Sequence, residues 1–260
     1  FTLNGGKLSA CVNFYDVVIS NPYDKEIYLL CHNGKGDRVA ENISIVDGGG
    51  TGSAVLYVGM NANVGTIYAK NISCNTAKGQ IIFRDGSIEN LTMTAGEFWT
   101  AYYDGGSHTY KGDIYFENVE IAANNYDHDI VIDGTTSFVL AGNNTIYLDI
   151  VESTQGNTIT FKGANNVIEQ NSMAPDAPVK IAATNIVFDQ VDSWFLTDGI
   201  VNTLNQLEYT NLSFEGRLGQ GDYVLGAGSA NFKFTFGGQA VELSLGNSVT
   251  VDGYTISYAT

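Results

Sequence analysis

The sequence predicts an all-β protein, a right-handed parallel β-helix (β-solenoid) ending in a C-terminal antiparallel β-meander. Three observations carry this. A tetrad of Asn followed by apolar-any-apolar returns seven times along the 260 residues. The runs between copies are short, β-branched or aromatic, and bounded by Gly, Asn or Asp. No useful length of chain keeps the i, i+3, i+4 apolar spacing of an amphipathic helix.

The tetrads begin at Asn42, Asn71, Asn90, Asn118, Asn185, Asn211 and Asn231, with looser copies near Asn13, Asn144, Asn157 and Asn166. Their steps fall in the range of structural repeats, and they vary as they would in a helix of constant strands and unequal loops. Alternation inside each tetrad turns one row of side chains inward, so Ile45, Met93, Ile121, Phe188 and Phe214 are expected in one continuous core column. Asn suits the corner because it tolerates left-handed backbone. Pairs such as Asp85-Gly86, Asp133-Gly134 and Gly142-Asn143 fit further corners, and Gly48 to Ser53 reads as a turn without the Lys-Ser/Thr ending of a phosphate loop.

The expected organisation is a β-helix over residues 1–215, including an N-terminal cap, followed by a hairpin segment over 216–260. The last segment carries short connections at Gly237-Gly238-Gln239, Gly246-Asn247-Ser248 and Asp252-Gly253, which suit antiparallel pairing. Such a segment caps an open sheet edge or uses it for assembly.

Twenty-eight acidic residues against 12 basic ones give a net charge of −16. That field repels nucleic acid and anionic membranes. No run of apolar residues is long enough for a membrane-spanning helix. The start at Phe1, without Met, reads as a mature or excised piece. Of the three cysteines, Cys11 and Cys31 are spaced to stack on neighbouring coils and form the candidate disulfide, a reduced pair being the alternative; Cys74 sits at an apolar tetrad position as a core residue.

Three groups of residues offer chemistry. Trp99, Tyr102, Tyr103, Asp104 and His108 form the densest aromatic stretch, read as a loop whose rings would stack on a sugar while Asp104 and His108 bond its hydroxyls. Asp127, Asp129 and Asp133 form an oxygen-rich cluster and the candidate calcium site, calcium being the one cofactor considered. The chain has no Asp-Asp, Gly-His-Gly or Arg-x-Lys sequence, which argues against a β-helical polysaccharide hydrolase and leaves the same aspartates as the conceivable hydrolytic set. Asn-x-Ser/Thr triplets at Asn42, Asn71, Asn90 and Asn211 coincide with the tetrad, which explains them without glycosylation.

Tetrads, Gly/Asn/Asp corners, acidic charge and hairpin terminus together resemble bacterial surface β-helices, especially autotransporter passengers and filamentous-haemagglutinin-type adhesins. The resemblance implies a secreted or cell-surface location and a non-catalytic adhesin. Its partners would be a host or neighbouring-cell glycan or protein, with self-association through solenoid edges, no nucleic acid and no membrane insertion. The alternatives are a structural subunit of a surface layer or extracellular fibre, and a β-helical polysaccharide hydrolase or lyase.

Overall fold

A computed structural model describes residues 1–31, 36–59, 65–101, 108–124, 129–133, 136–162, 166–169, 179–189, 207–215, 223–225, 232–236, 239–244 and 246–258. It is an all-β solenoid with no helix among the described residues. Two sheets of mainly parallel strands enclose the core, with 14 strands in the wide sheet and eight in the narrow one among the described residues. The narrow sheet stacks Lys7–Ala10, Ile27–Cys31, Ala54–Val58, Gly79–Phe83, Gly96–Ala101, Val119–Asn124, Thr145–Ile146 and Val167–Ile168 in chain order.

The tetrad works as a corner inside single strands of the wide sheet. In Arg38–Asp47, Ile67–Cys74 and Gly86–Met93 the residues Asn42, Asn71 and Asn90 have φ of 58°, 53° and 62°. One left-handed residue bends the strand without ending it. Two successive residues then face outward, and the inward positions become Ala40, Ile43 and Ile45, with Ala69, Ile72, Cys74 and Ile88, Leu91, Met93 on the next rungs. Asp16, at φ 52°, plays the same part ahead of Val17 and Ile19.

These corner side chains bond along the solenoid. Asn42 Nδ2 donates to Asp16 Oδ1 at 2.9 Å, Asn71 Nδ2 to Asn42 Oδ1 at 3.0 Å and Asn90 Nδ2 to Asn71 Oδ1 at 3.0 Å. The ladder then stops. The next strand, His108–Glu117, carries an extra residue at this point, and the Asp113 N–H donates to Asn90 Oδ1. Gly112 fills the corner at φ 66°, and a Cβ there would lie 2.2 Å from Asn90 Oδ1.

The Asn118 tetrad is a correction to the one continuous column expected for Ile45, Met93 and Ile121, since Ile121 lies on the narrow sheet and the other two on the wide one. It leads into Val119–Asn124 of the narrow sheet, not into the wide sheet, so it marks a different corner. Asn144 and Asn166 belong to that corner too. Asn144 is buried, its Oδ1 accepts from the Val119 N–H, and its Nδ2 donates to the Phe116 and Ala141 carbonyls and to Asn166 Oδ1.

The core runs unbroken through both sheets. Ile45, Met93 and Ile121 are fully buried as expected, while the side chains of Phe188 and Phe214 lie outside the described set. An aromatic seam of Phe98, Phe116 and Phe138 packs with tilted rings, their centroids 5.2 and 5.7 Å apart. Each such pair adds about 1 kcal/mol to ordinary apolar burial. Gly48, Gly50 and Gly52 allow one loop to lie directly on the loop of the neighbouring coil: Cβ atoms there would strike the backbone of Asn21, Tyr23 and Lys25. The turn expected at Gly48 to Ser53 is thus a close backbone approach.

Parallel stacking continues past the boundary expected at residue 215, since Phe232–Phe236 still pairs parallel with Leu207–Glu215. Antiparallel pairing begins with Gln239–Leu243, and Ser248–Val251 pairs antiparallel with Tyr254–Tyr258. Tyr223–Leu225 lies parallel beside that last strand.

Candidate functional site: the outer face of the narrow sheet

Alternation along the narrow sheet sends Ile27, Leu29, Leu56, Val58, Ile81, Phe83, Phe98 and Ile121 into the core, so the residues between them face outward. The strand register assembles those outward residues into rows along the solenoid axis. One row reads Leu30, Tyr57, Ile82, Trp99 and Ala122. Tyr147 continues it, placed between buried Ile146 and Leu148, its N–H donating to the Ile121 carbonyl. Beside this row runs a second of Tyr28, Val55, Gln80, Glu97, Glu120 and Thr145.

Apolar side chains on this outer face pack on one another. Val55, Ile82 and Ala101 are buried although they point away from the core, sheltered by Tyr28, Tyr57 and Trp99. The Tyr28 and Tyr57 rings lie 6.0 Å apart, and the Arg84 guanidinium sits 4.8 Å from the Tyr57 centroid. Polar groups flank this platform. Gln80 Nε2 donates to Glu97 Oε2 at 2.8 Å, and partial burial together with the Glu97 charge holds Glu120 above the ordinary carboxylate range. Burial, then Glu120 and Glu169, raise the Tyr147 phenol.

The outer face of the wide sheet has a different character. Glu41, Lys70 and Glu89 alternate in sign across three rungs, and Lys70 Nζ lies 3.0 Å from Glu89 Oε1. Opposite charges sit side by side there. The narrow sheet instead presents aromatic faces bordered by carboxylate and amide groups, a surface able to hold an amphipathic ring by apolar contact while bonding its hydroxyls.

Trp99 therefore lies on a strand, Gly96–Ala101, and not in a loop as expected. His108 does not join it: its ring stacks on fully buried Phe83 with centroids 4.7 Å apart, on the interior side of the opposite sheet. Tyr102, Tyr103 and Asp104 lie outside the described residues, as does Asp127. Asp129 and Asp133 bracket the strand Ile130–Ile132, a separation of about 13 Å for extended chain. The Asp133 carbonyl accepts from the Thr136 N–H in a turn, and no cluster of three His, Cys, Asp or Glu able to hold a metal occurs among the described residues. Cys11, Cys31 and Cys74 are free thiols. In register, Cys31 faces Ala10 and points into the core, whereas Cys11 is exposed one step further on, so the pair considered for a disulfide is not aligned. Burial pushes the Cys31 thiol up to about 12 and Cys74 to about 11.

Tyr28, Tyr57, Arg84, Glu97, Glu120 and Tyr147 were missed by reading local aromatic density. A usable signal was present, because Leu56-Tyr57-Val58 and Ile146-Tyr147-Leu148 each place one aromatic between two aliphatic neighbours. Period-2 alternation sends that aromatic outward wherever the aliphatics go inward. Comparison with protein-family models, curated proteins and solved structures finds no match.

Proposed function

We propose that this protein is a non-catalytic extracellular adhesin of the bacterial cell surface that binds glycan on the outer face of its narrow sheet. The observation that carries the reading is the axial row of Tyr57, Trp99 and Tyr147 with Gln80, Glu97 and Glu120 alongside. Calcium enters this proposal as a helper near Asp127 and Asp129. A glycan array with calcium and with chelator tests the whole reading. Binding weakened by Trp99→Ala, in a protein that keeps its β spectrum, supports it; absence of binding in both conditions sinks it. Shortening of a bound polysaccharide, read as new reducing ends, would make the protein a hydrolase or lyase instead.

One feature favours the structural subunit as a second reading. Lys7–Ala10 ends the narrow sheet, and no strand lies beyond it among the described residues. An open strand edge is a template for another chain. Sedimentation across a concentration series separates the two: filaments or sheets that disappear when residues 216–260 are deleted favour the subunit, and a monodisperse monomer that still binds glycan favours the adhesin.

A further inference from the structure

The aromatic row has a spacing as well as a composition. Tyr57, Trp99 and Tyr147 stand on alternate rungs of the narrow sheet, with Ile82 on the rung between the first two and Ala122 between the last two. Rungs of a sheet are about 4.8 Å apart, so successive aromatics recur at about 9.6 Å and the three span about 19 Å along the axis. The intervening side chains, Ile82 and Ala122, are buried below the surface, whereas all three rings are partly open.

A pyranose ring in an extended β-1,4-linked chain carries its two linkage oxygens at opposite ends of the ring, so each residue advances the chain by close to one such rung. Each ring is turned over relative to the last, so every second residue presents the same face in the same direction. An α-1,4 or β-1,3 chain curves instead and cannot keep this contact over four rungs. Charge narrows the choice further. Glu97 and Glu120 stand on adjacent rungs beside the row, Glu169 follows Tyr147 in it, and the chain carries a net charge of −16. A polyuronate would bring its carboxylates against these.

Building on the glycan-binding reading, we infer that this face holds an extended β-1,4-linked glycan free of uronate carboxylates, laid along the solenoid axis with alternate residues stacked on Tyr57, Trp99 and Tyr147. Glu97, Gln80 and Glu120 then border one edge of the chain, where they accept from and donate to its hydroxyl or amide groups.

The test is titration calorimetry of the full chain with cello-oligosaccharides and chito-oligosaccharides of two to six residues, against maltohexaose, laminarihexaose and hexagalacturonate. Affinity is expected to climb with length for the β-1,4 series until the oligomer reaches the third aromatic. Tyr147→Ala should weaken hexamer binding about tenfold, the worth of one lost stacking contact, and leave the trimer unchanged. Tyr147→Phe keeps the ring and should keep the hexamer affinity, which separates stacking from any disturbance of the fold. Equal binding of the α-1,4, β-1,3 or uronate hexamer, or an affinity independent of length, overturns the inference while leaving a glycan-binding protein. No binding by any oligosaccharide overturns the glycan-binding reading itself.

Discussion

The corner at Asn42, Asn71 and Asn90 and the same corner a few coils later are built in opposite ways. In the first region the turn is one left-handed residue inside a continuous strand, and successive turns are tied by Asn to Asn hydrogen bonds. In the second, strands split: Ile130–Ile132 and Ser137–Ala141 are separate strands, as are Ile150–Glu152 and Thr158–Lys162. Thr136 Oγ1 reaches back to the Tyr110 carbonyl, and Asn157 Nδ2 to the Ile132 and Thr154 carbonyls, doing with loop side chains what the ladder did with one row. The core is indifferent to the change, since Ile132, Phe138, Ile150 and Ile159 are as buried as Ile43 and Ile72. A solenoid therefore constrains which residues point inward far more tightly than how the chain turns between them.

Insertion breaks this comparison most severely. One glycine placed after Asn71 shifts Ile72 and Cys74 out of register and reverses their faces, so the affected rungs should unfold with a loss above about 4 kcal/mol. The same insertion after exposed Gly156 only lengthens a loop and should cost about 0.6 kcal/mol or less. Urea melts of the two variants are the measurement, and equal losses would show that both corners are under the same constraint.

Asn144→Ala tests the narrow-sheet corner. It strips partners from the buried Val119 N–H and from the Phe116 and Ala141 carbonyls, at an expected cost of about 3 kcal/mol. Asn71 separates backbone from side chain. Asn71→Ala loses the ladder bonds and meets the left-handed penalty, about 2 to 3 kcal/mol together, whereas Asn71→Gly keeps the backbone and should lose about 1 kcal/mol. If alanine and glycine prove equal by thermal melting, the left-handed geometry contributes nothing there.

Tyr110 lies between the two regions, fully buried with its hydroxyl unbonded to any group among the described residues, and burial raises that phenol well above its usual range. Tyr110→Phe should stabilise the protein by about 1 kcal/mol; a lower melting temperature would show the hydroxyl to be partnered in solution. The smallest effect belongs to Glu120. Its folded pKa is raised, so the folded state binds the proton more tightly than the unfolded chain. The destabilisation is present at neutral pH and is relieved as pH falls through that raised value. Glu120→Gln should therefore raise the melting temperature slightly at pH 7 and leave it unchanged at pH 3, checked by calorimetry at both.

Period-2 alternation and the Asn corners were sufficient, in the sequence alone, to determine a parallel β-solenoid and much of its core, because a strand must present alternate residues to alternate faces wherever it lies. They were not sufficient to tell Asn118 from Asn90, since both begin the same tetrad; only stacking assigns one to the narrow sheet and the other to the wide one. The candidate site divides in the same way. Trp99 stood out as part of an aromatic cluster, but its companions Tyr57 and Tyr147 are far away in sequence, and a member of that local cluster, His108, turns into the interior against Phe83. A row along a solenoid is made by register between coils whose loops differ in length. That register is settled when the core residues of each coil pack on those of the last, which is a property of the stacked structure and of no local stretch of chain.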